Sequence, residues 1–437
     1  MKRSADSSRT PSEGGRKLRW MRLDNAAKIF PAARRRNWNN VFRLSATLTE
    51  NIDPATLQSA LDVTVKRFPS IAVRLRTGLF WYFLEEVPKA PPVQRENSYP
   101  LTPMSFADIQ KCAFRVLYYK KRIAVEFFHA LTDGNGGLVF LKTLTAEYLT
   151  QKGVDIPNDN GVLCRLAQPT QSELEDSFQK NESLVSAGRK EAPAFRLTGE
   201  KEPDGYLNVT TGILPSGDII GLARKYGVSV TTLLCAVLIE CFIGIQNERV
   251  PHRKRHRAVK ICVPVNLRKM FTSESLRNYV LTITPGVDPR LGDYTFEEIL
   301  KSVHHQLGVE LTSKQMSAKI AANVNAERVW ALKIMPLFIK NIAMKLVYNT
   351  VGERHSCITL SNLGVVTLPA EMEAHVERLD FVLGVQATYP NNCGVLSYKD
   401  KVYINFIRNT KEPTLELKFF TYLLKLGIRA AVESNQR

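Results

Sequence analysis

The sequence predicts a mixed α/β (α+β) chain built as two lobes. Strand-like and helix-like patterns alternate through both halves in a similar order, strand, helix, then strands. A polar, charged stretch with little hydrophobic period, residues 168–204, separates them. The 437 residues suit two domains of roughly 200 residues, each large enough to bury its own core. The expected divisions are a disordered tail at 1–16, a first lobe at 17–167, a linker at 168–204 and a second lobe at 205–437. No internal sequence repeat relates the halves.

The first lobe begins with ordered pieces at Leu18 to Phe30 and a strand at Val41 to Leu48, where apolar residues alternate. Asp53 and Pro54 then supply an N-cap and a first-turn proline. Leu57, Leu61, Val65 and Phe68 recur at helical spacing until Pro69 stops the run. Short β segments are expected at Ile71 to Arg76 and Leu79 to Leu84, before a Pro-rich loop at Pro88 to Pro92. Ala113 to Tyr118 and Arg122 to Phe128, joined at Lys120-Lys121, read as a hairpin. A glycine-rich loop, Gly134 to Gly137, leads from it into a helix carrying Leu138, Leu141, Leu144 and Tyr148.

The second lobe opens with a strand near Leu207 to Leu214. A helix follows, begun by Ser229, Thr231 and Thr232, with Leu233 to Ile243 as its apolar body. Strands are expected at Ala258 to Val265 and Tyr279 to Ile283, then a helix from Thr295 to Leu311. The Lys-bearing stretch Ala331 to Val347 reads as an amphipathic helix, covering the second lobe or flanking a channel. Cys393 to Tyr398 and Lys401 to Ile407 are the closing strands, before a terminal helix.

Composition narrows the class. Hydrophobic residues make up 44% and charged residues 23% of the chain, so wholesale disorder and collagen-like classes are excluded. The seven cysteines stand singly, several within apolar runs. They read as buried, reduced thiols, with neither a zinc site nor a disulfide framework. No secretory signal is recognised. No stretch reads as the roughly 18 apolar residues of a membrane span; Ala331 to Tyr348 is broken by Lys333, Lys340 and Lys345. The expected location is cytoplasmic. The net charge of +18 is partly clustered at Arg16 to Arg19, Arg34 to Arg36 and His252 to Arg257. Each run alone reads as a solvated loop, and no nucleic-acid-binding motif accompanies them, so nucleic acid is not expected as a partner. A phosphate-bearing thioester or an acidic carrier protein suits the charge equally.

The segment that carries chemistry is His129-Ala-Leu-Thr-Asp133-Gly134. A histidine at the end of a strand can take a hydroxyl proton near neutral pH. Asp133 is too close in sequence to be assumed a partner of the ring; an ion pair that pins the loop is the alternative. Taken alone, a histidine after a strand is more often an ordinary loop or core residue, and the bare pattern recurs by chance. The hairpin before it and the glycines and helix after it are what raise it.

With its neighbours, Phe-Phe-His129-Ala-Leu-Thr-Asp133-Gly134-Asn-Gly-Gly resembles the H-x-x-x-D-G motif of the chloramphenicol acetyltransferase-like superfamily. The group includes condensation domains, BAHD acyltransferases and microbial alcohol O-acetyltransferases. Leu57 to Pro69 is similar to its opening helix, Val263 to Arg268 to the strand bearing its arginine, and Leu276 to Tyr279 to the segment that follows. Ser361 to Gly364 is similar to its late channel segment. The resemblance covers most of the chain beyond the tail and is nearest the alcohol acetyltransferases. It implies two lobes, each a mixed sheet flanked by helices, with the active-site tunnel between them. It further implies that His129 is the general base for direct attack of an acceptor hydroxyl on a thioester, without an acyl-enzyme. Asp133 then pairs with Arg268 in a structural role beside Gly134, and Ser361 or Asn362 donates to the oxyanion. An acyl-CoA, acetyl-CoA first, is the implied co-substrate. No resident cofactor or metal is implied.

Phe128 stands where condensation domains usually carry a first histidine, and the BAHD D-F-G-W-G motif is missing, which favours O-acyl transfer. The alternatives are a donor on an acyl carrier protein, as in condensation-type enzymes of natural-product biosynthesis, and a non-catalytic binding member of the fold. The acceptor is a small-molecule or lipid hydroxyl. Met335 to Val347 also has the character of a helix that contacts a membrane surface. Adjacent His304 and His305 face different ways on a helix and suit packing or surface roles; His355 and His375 carry no supporting pattern.

Overall fold

A computed structural model describes residues 18–33, 40–180, 192–328, 334–347, 354–385 and 390–436. The tail 1–16, Arg34 to Arg36, and residues 331–333 of the amphipathic stretch lie outside the described residues.

Trp20–Arg22 (β1), Val73–Thr77 (β3) and Tyr82–Glu86 (β4) form a small sheet in the order β1-β4-β3. Val41–Leu48 (β2), Gln94–Arg95 (β5), Phe114–Tyr119 (β6) and Arg122–Phe128 (β7) build the first large sheet. Its hairpin β6–β7 turns at Lys120, which takes a positive φ of 49°. The helices Pro54–Arg67 and Gly134–Gln151 pack together beside it, with Phe68 and Phe140 in edge contact at 5.0 Å. Asp53 caps the first of these helices by accepting from Thr56 N at 2.8 Å.

The second sheet contains Asn208–Pro215 (β8), Val259–Asn266 (β9), Val280–Ile283 (β10), Gly286–Val287 (β11), Ile358–Val366 (β12), Asn391–Tyr398 (β14), Lys401–Arg408 (β15) and Ala431–Ser434 (β16). The order is β10-β9-β12-β14-β15-β8-β16, with β11 also on β9, and β12 runs parallel to both its neighbours. Val376–Val382 (β13) comes from the second half of the chain but pairs antiparallel with β2, so the first large sheet reads β13-β2-β7-β6-β5.

Several expectations change on contact with the structure. Helix Val230–Arg249 is, by length and composition, apolar enough to cross a membrane, although no such stretch was expected. Its Thr, Cys and Gly residues hide the run in the sequence. Leu233 to Ile239 are fully buried, so here it is the core helix of the second lobe, packed against Phe296–Glu310 and Thr414–Lys425. The expected linker is partly integrated: Arg67 makes two 2.7 Å bonds to the Glu173 carboxylate, and Glu173 O accepts from Leu276 N at 2.9 Å. Helix Leu337–Val347 covers the first lobe rather than the second. Its Lys340 Nζ donates to Phe80 O at 2.7 Å beside the Trp81 ring, and the helix packs on Ile29–Ala33. Its outer face leaves Phe338, Ile342 and Leu346 exposed. Of the cysteines, Cys164 is exposed while Cys235, Cys241, Cys357 and Cys393 are buried. His304 and His305 are both exposed.

Candidate active site between the lobes

Strand β7 ends at Phe128, and the chain turns through His129 to Thr132 before the helix that starts at Gly134. The glycines expected in a loop are instead the first turn of this helix, and Asp133 is its N-cap. Asp133 Oδ1 accepts from Asn135 N and Gly136 N, each at 3.1 Å. Its other oxygen, Oδ2, accepts from Arg268 Nη1 at 2.7 Å and Tyr279 N at 2.9 Å. One buried carboxylate thus caps a helix of the first lobe and holds an arginine of the second. Arg268 Nε donates onward to Ser275 O at 2.7 Å, fixing the guanidinium.

Glycine is needed here for proximity rather than for backbone conformation, because Gly134, Gly136 and Gly137 all lie outside the positive-φ region. A Cβ on Gly136 would sit 2.2 Å from both Leu276 O and Thr132 Oγ1. A Cβ on Gly134 would sit 2.8 Å from Leu363 Cδ2. The motif glycines let the two lobes touch.

The His129 ring stacks on Phe30 at 4.8 Å and meets Phe42 edge-on at 5.0 Å. Its Nδ1 lies 3.1 Å from Asn278 Oδ1. The other end of that amide settles the direction of this bond. Asn278 Nδ2 donates to His129 O at 3.0 Å and to Asp24 Oδ2 at 3.3 Å, so Oδ1 is the acceptor and Nδ1 carries the proton. Nε2 is left with its lone pair. Burial holds the imidazole below its ordinary 6.5, opposed by its own backbone, by Asp133 and by Asn278. Burial likewise pushes the Asp24 carboxyl up to about 6, against the pull of Arg277. A neutral imidazole with one pinned and one open nitrogen can accept a proton at neutral pH.

His129, Asp133 and Gly134 line a cavity of about 130 Å³ with Ser361, Asn362, Pro264 and Asn266 of the second sheet. Arg268 stands behind it, reaching it through Asp133 and through Asn266 Oδ1, which accepts from Arg268 Nη1 at 3.2 Å. The two late candidates differ. Asn362 is occupied at both ends, with Nδ2 donating to Thr231 Oγ1 at 3.1 Å and Oδ1 accepting from Gly364 N at 2.8 Å. That turn requires Gly364 at φ 78° and interrupts the β12–β14 register. Ser361 is half-buried on the cavity wall, across from Gly394 in the ladder. Sequence reasoning missed Asp24, Phe30 and Phe42, and gave Asn278 no role although its segment stood out.

Among solved structures, the chain is similar to TRI101 of F. sporotrichioides, complexed with coenzyme A and T-2, over 94% of this chain and 99% of that one, at TM-score 0.61 and 11% identity. It is similar to polyketide synthase associated protein 5 of Mycobacterium tuberculosis over 92% and 96%, at TM-score 0.59 and 14% identity. The first condensation domain of the CDA synthetase matches over 87% and 90%, at TM-score 0.50 and 13% identity. The chain has the chloramphenicol acetyltransferase-like fold. The chloramphenicol acetyltransferase-like fold puts mixed sheets and flanking helices on either side of the His129 cavity. No protein-family profile matches the sequence. No curated protein matches it either.

Proposed function

We propose that the chain is an acyltransferase of the alcohol O-acetyltransferase kind, moving an acyl group, acetyl first, from a CoA thioester to an acceptor hydroxyl. The observation that carries this reading is His129 held at Nδ1 by Asn278, which leaves the lone pair on Nε2, in a cavity where the two lobes meet. In the proposed reaction the acceptor O–H gives its proton to Nε2 as its oxygen attacks the thioester carbonyl carbon. The tetrahedral oxyanion takes a hydrogen bond from the Ser361 hydroxyl, a contact whose loss typically costs roughly 3 kcal/mol. Collapse breaks the C–S bond, the thiolate takes the proton back from Nε2, and ester and free thiol leave. Asp133 and Arg268 hold the turn and do not touch the reactants. Asn362 we assign to shaping the wall, because its Oδ1 and one Nδ2–H already hold the turn and Thr231.

The CoA donor gains support from TRI101, a protein of the same fold solved with coenzyme A, and from the net charge of +18. The second reading, a donor on an acyl carrier protein, draws on the same fold in condensation domains. Thiol release from acetyl-CoA, across alcohols, sugars and lipid hydroxyls, tests the proposal with wild type beside His129→Ala. Acceptor-dependent release that falls at least about 10³-fold in the variant is expected. Release with no acceptor panel member, but transfer from an acylated carrier protein, would shift the assignment to the second reading. No transfer from either donor would leave a binding member of the fold.

A further inference from the structure

The basic run at 252–257, which acyl transfer does not use, folds into one wall of a second cavity of about 590 Å³. Arg196, Arg255, Arg257, Arg290 and Arg354 line it from four separate stretches of chain, around the buried His256, and among the described residues no carboxylate lines it. Two described acids nearby are already engaged. Asp288 takes Arg290 through both its oxygens, and Asp293 pairs with Arg253. Among the described residues, Arg255, Arg257 and Arg354 have no carboxylate partner.

The backbone that carries these arginines is pinned, so the cavity is built rather than a chance meeting of loose side chains. The Gln246 amide bonds Arg257 on both sides, donating to Arg257 O at 3.0 Å and accepting from Arg257 N at 2.9 Å. His256 Nε2 donates to Val250 O at 2.7 Å. Ala194 N donates to Arg354 O at 2.8 Å and Phe195 N to Ala258 O at 2.9 Å, tying the Arg196 and Arg354 segments to the start of β9. Arg255, Arg257 and Arg354, three guanidinium groups at one recess with no carboxylate partner among the described residues, repel one another unless an anion sits among them. Planar N–H forks fit phosphate oxygens better than they fit any other common anion except carboxylate. The recess lies at the opposite end of β9 from Pro264 and Asn266, roughly 20 Å along the strand from the His129 cavity.

We propose that this cavity is a binding site for a small molecule carrying two or more phosphate groups, separate from the acyl-transfer cavity. A recess walled on several sides selects a small ligand over an acidic protein surface. The site gives the basic run a function that does not depend on the reaction at His129.

Titration calorimetry on the full chain at about 0.15 M salt, with tripolyphosphate and with adenosine 3′,5′-bisphosphate as probes, tests it. One-to-one binding is expected, weakened at least about tenfold in Arg255→Ala/Arg257→Ala and again in the single variant Arg354→Ala. The probe should raise the thermal midpoint of wild type and not of the double variant, while thiol release stays at the wild-type rate. Equal binding of the two probes means that phosphates alone are read, as on a polyphosphate or a lipid headgroup. Tighter binding of the nucleotide means that the cavity also reads the nucleoside. Absence of binding by both probes overturns the proposal, as does unchanged binding in variants that fold. Binding only to DNA or anionic vesicles overturns it too, because that would be a charged surface and not a recess. Probe binding is read without a thioester, so the failure of this proposal and the failure of acyl transfer are distinguishable.

Discussion

His129 can work as a base only with one ring nitrogen unprotonated and unencumbered, and Asn278 decides which one that is. Its amide spans His129 Nδ1, His129 O and the buried Asp24 carboxylate, so it cannot flip without breaking three contacts. Asn278→Ala is expected to lower kcat about 10- to 100-fold with little change in KM, since the ring loses its orientation and not its chemistry. Steady-state kinetics decides; a change confined to KM would mean that Asn278 serves binding. The sign of the pH dependence follows from burial. The His129 value lies below 6.5 in the folded chain, so the active, neutral form persists down to lower pH than in a free imidazole. The acid limb of kcat/KM should therefore fall below pH 6.5. Asn278→Asp places a second carboxylate against Nδ1–H and should move that limb to higher pH, by favouring the imidazolium. A limb that stays put would show that another group titrates.

The helix Gly134–Gln151 shows what the sequence could and could not disclose. His129, Asp133 and Gly134 fall within six residues of one another, and the hairpin and helix around them have strong local signals, so the catalytic turn was legible. Asp24 and Phe30 reach the same histidine from about 100 residues away, and nothing in their local pattern marks them. Strand β13 was missed because Val-Glu-Arg-Leu-Asp carries charges that a core strand seldom does; Arg378 and Asp380 pair with each other at 2.8 Å. Strand β12 was missed because Ser-Asn-Leu-Gly interrupts its apolar run. The glycines read as a loop, while Leu276 against Gly136 and Leu363 against Gly134 lie 140 or more positions along the chain. Gly136→Ala is accordingly expected to be among the most damaging single-methyl additions in the protein. The added carbon meets a carbonyl oxygen that cannot move without shifting the other lobe, and overpacking of this kind typically costs about 1–3 kcal/mol or more. Denaturant unfolding would register the loss together with reduced activity. Asp133→Ala should cost about 2–4 kcal/mol, because it removes a cap and leaves the part-buried Arg268 without its carboxylate partner. Asp133→Asn, which keeps an acceptor for the cap, should cost less, and equal losses would mean that the charge and not the cap carries the effect.

At the scale of the whole molecule, the two halves of the chain share a sheet and contacts across the lobe boundary. Strand β13 leaves the second half to flank β2, burying Val376, Leu379 and Phe381 against the first sheet. Without it, β2 becomes an edge strand, with an open ladder and apolar side chains uncovered. Asp133–Arg268 and the Leu276 carbonyl against Thr132 Oγ1 at 2.6 Å add contacts that neither half can satisfy alone. The chain cut between residues 180 and 192 therefore separates the covalent halves without separating the fold. Co-expressed halves should co-purify as a one-to-one complex that releases thiol, whereas the first half alone should lack dispersed amide resonances and aggregate through the exposed β2 edge. A cut chain whose first half folds by itself, with a sharp thermal transition of its own, would show that β13 is a covering strand and not a structural one. The intact chain should accordingly melt in one transition, and Phe381→Ala should lower that single midpoint rather than split it, because the ring packs against Phe42 at 6.3 Å and against the face where Gly134 starts the catalytic helix.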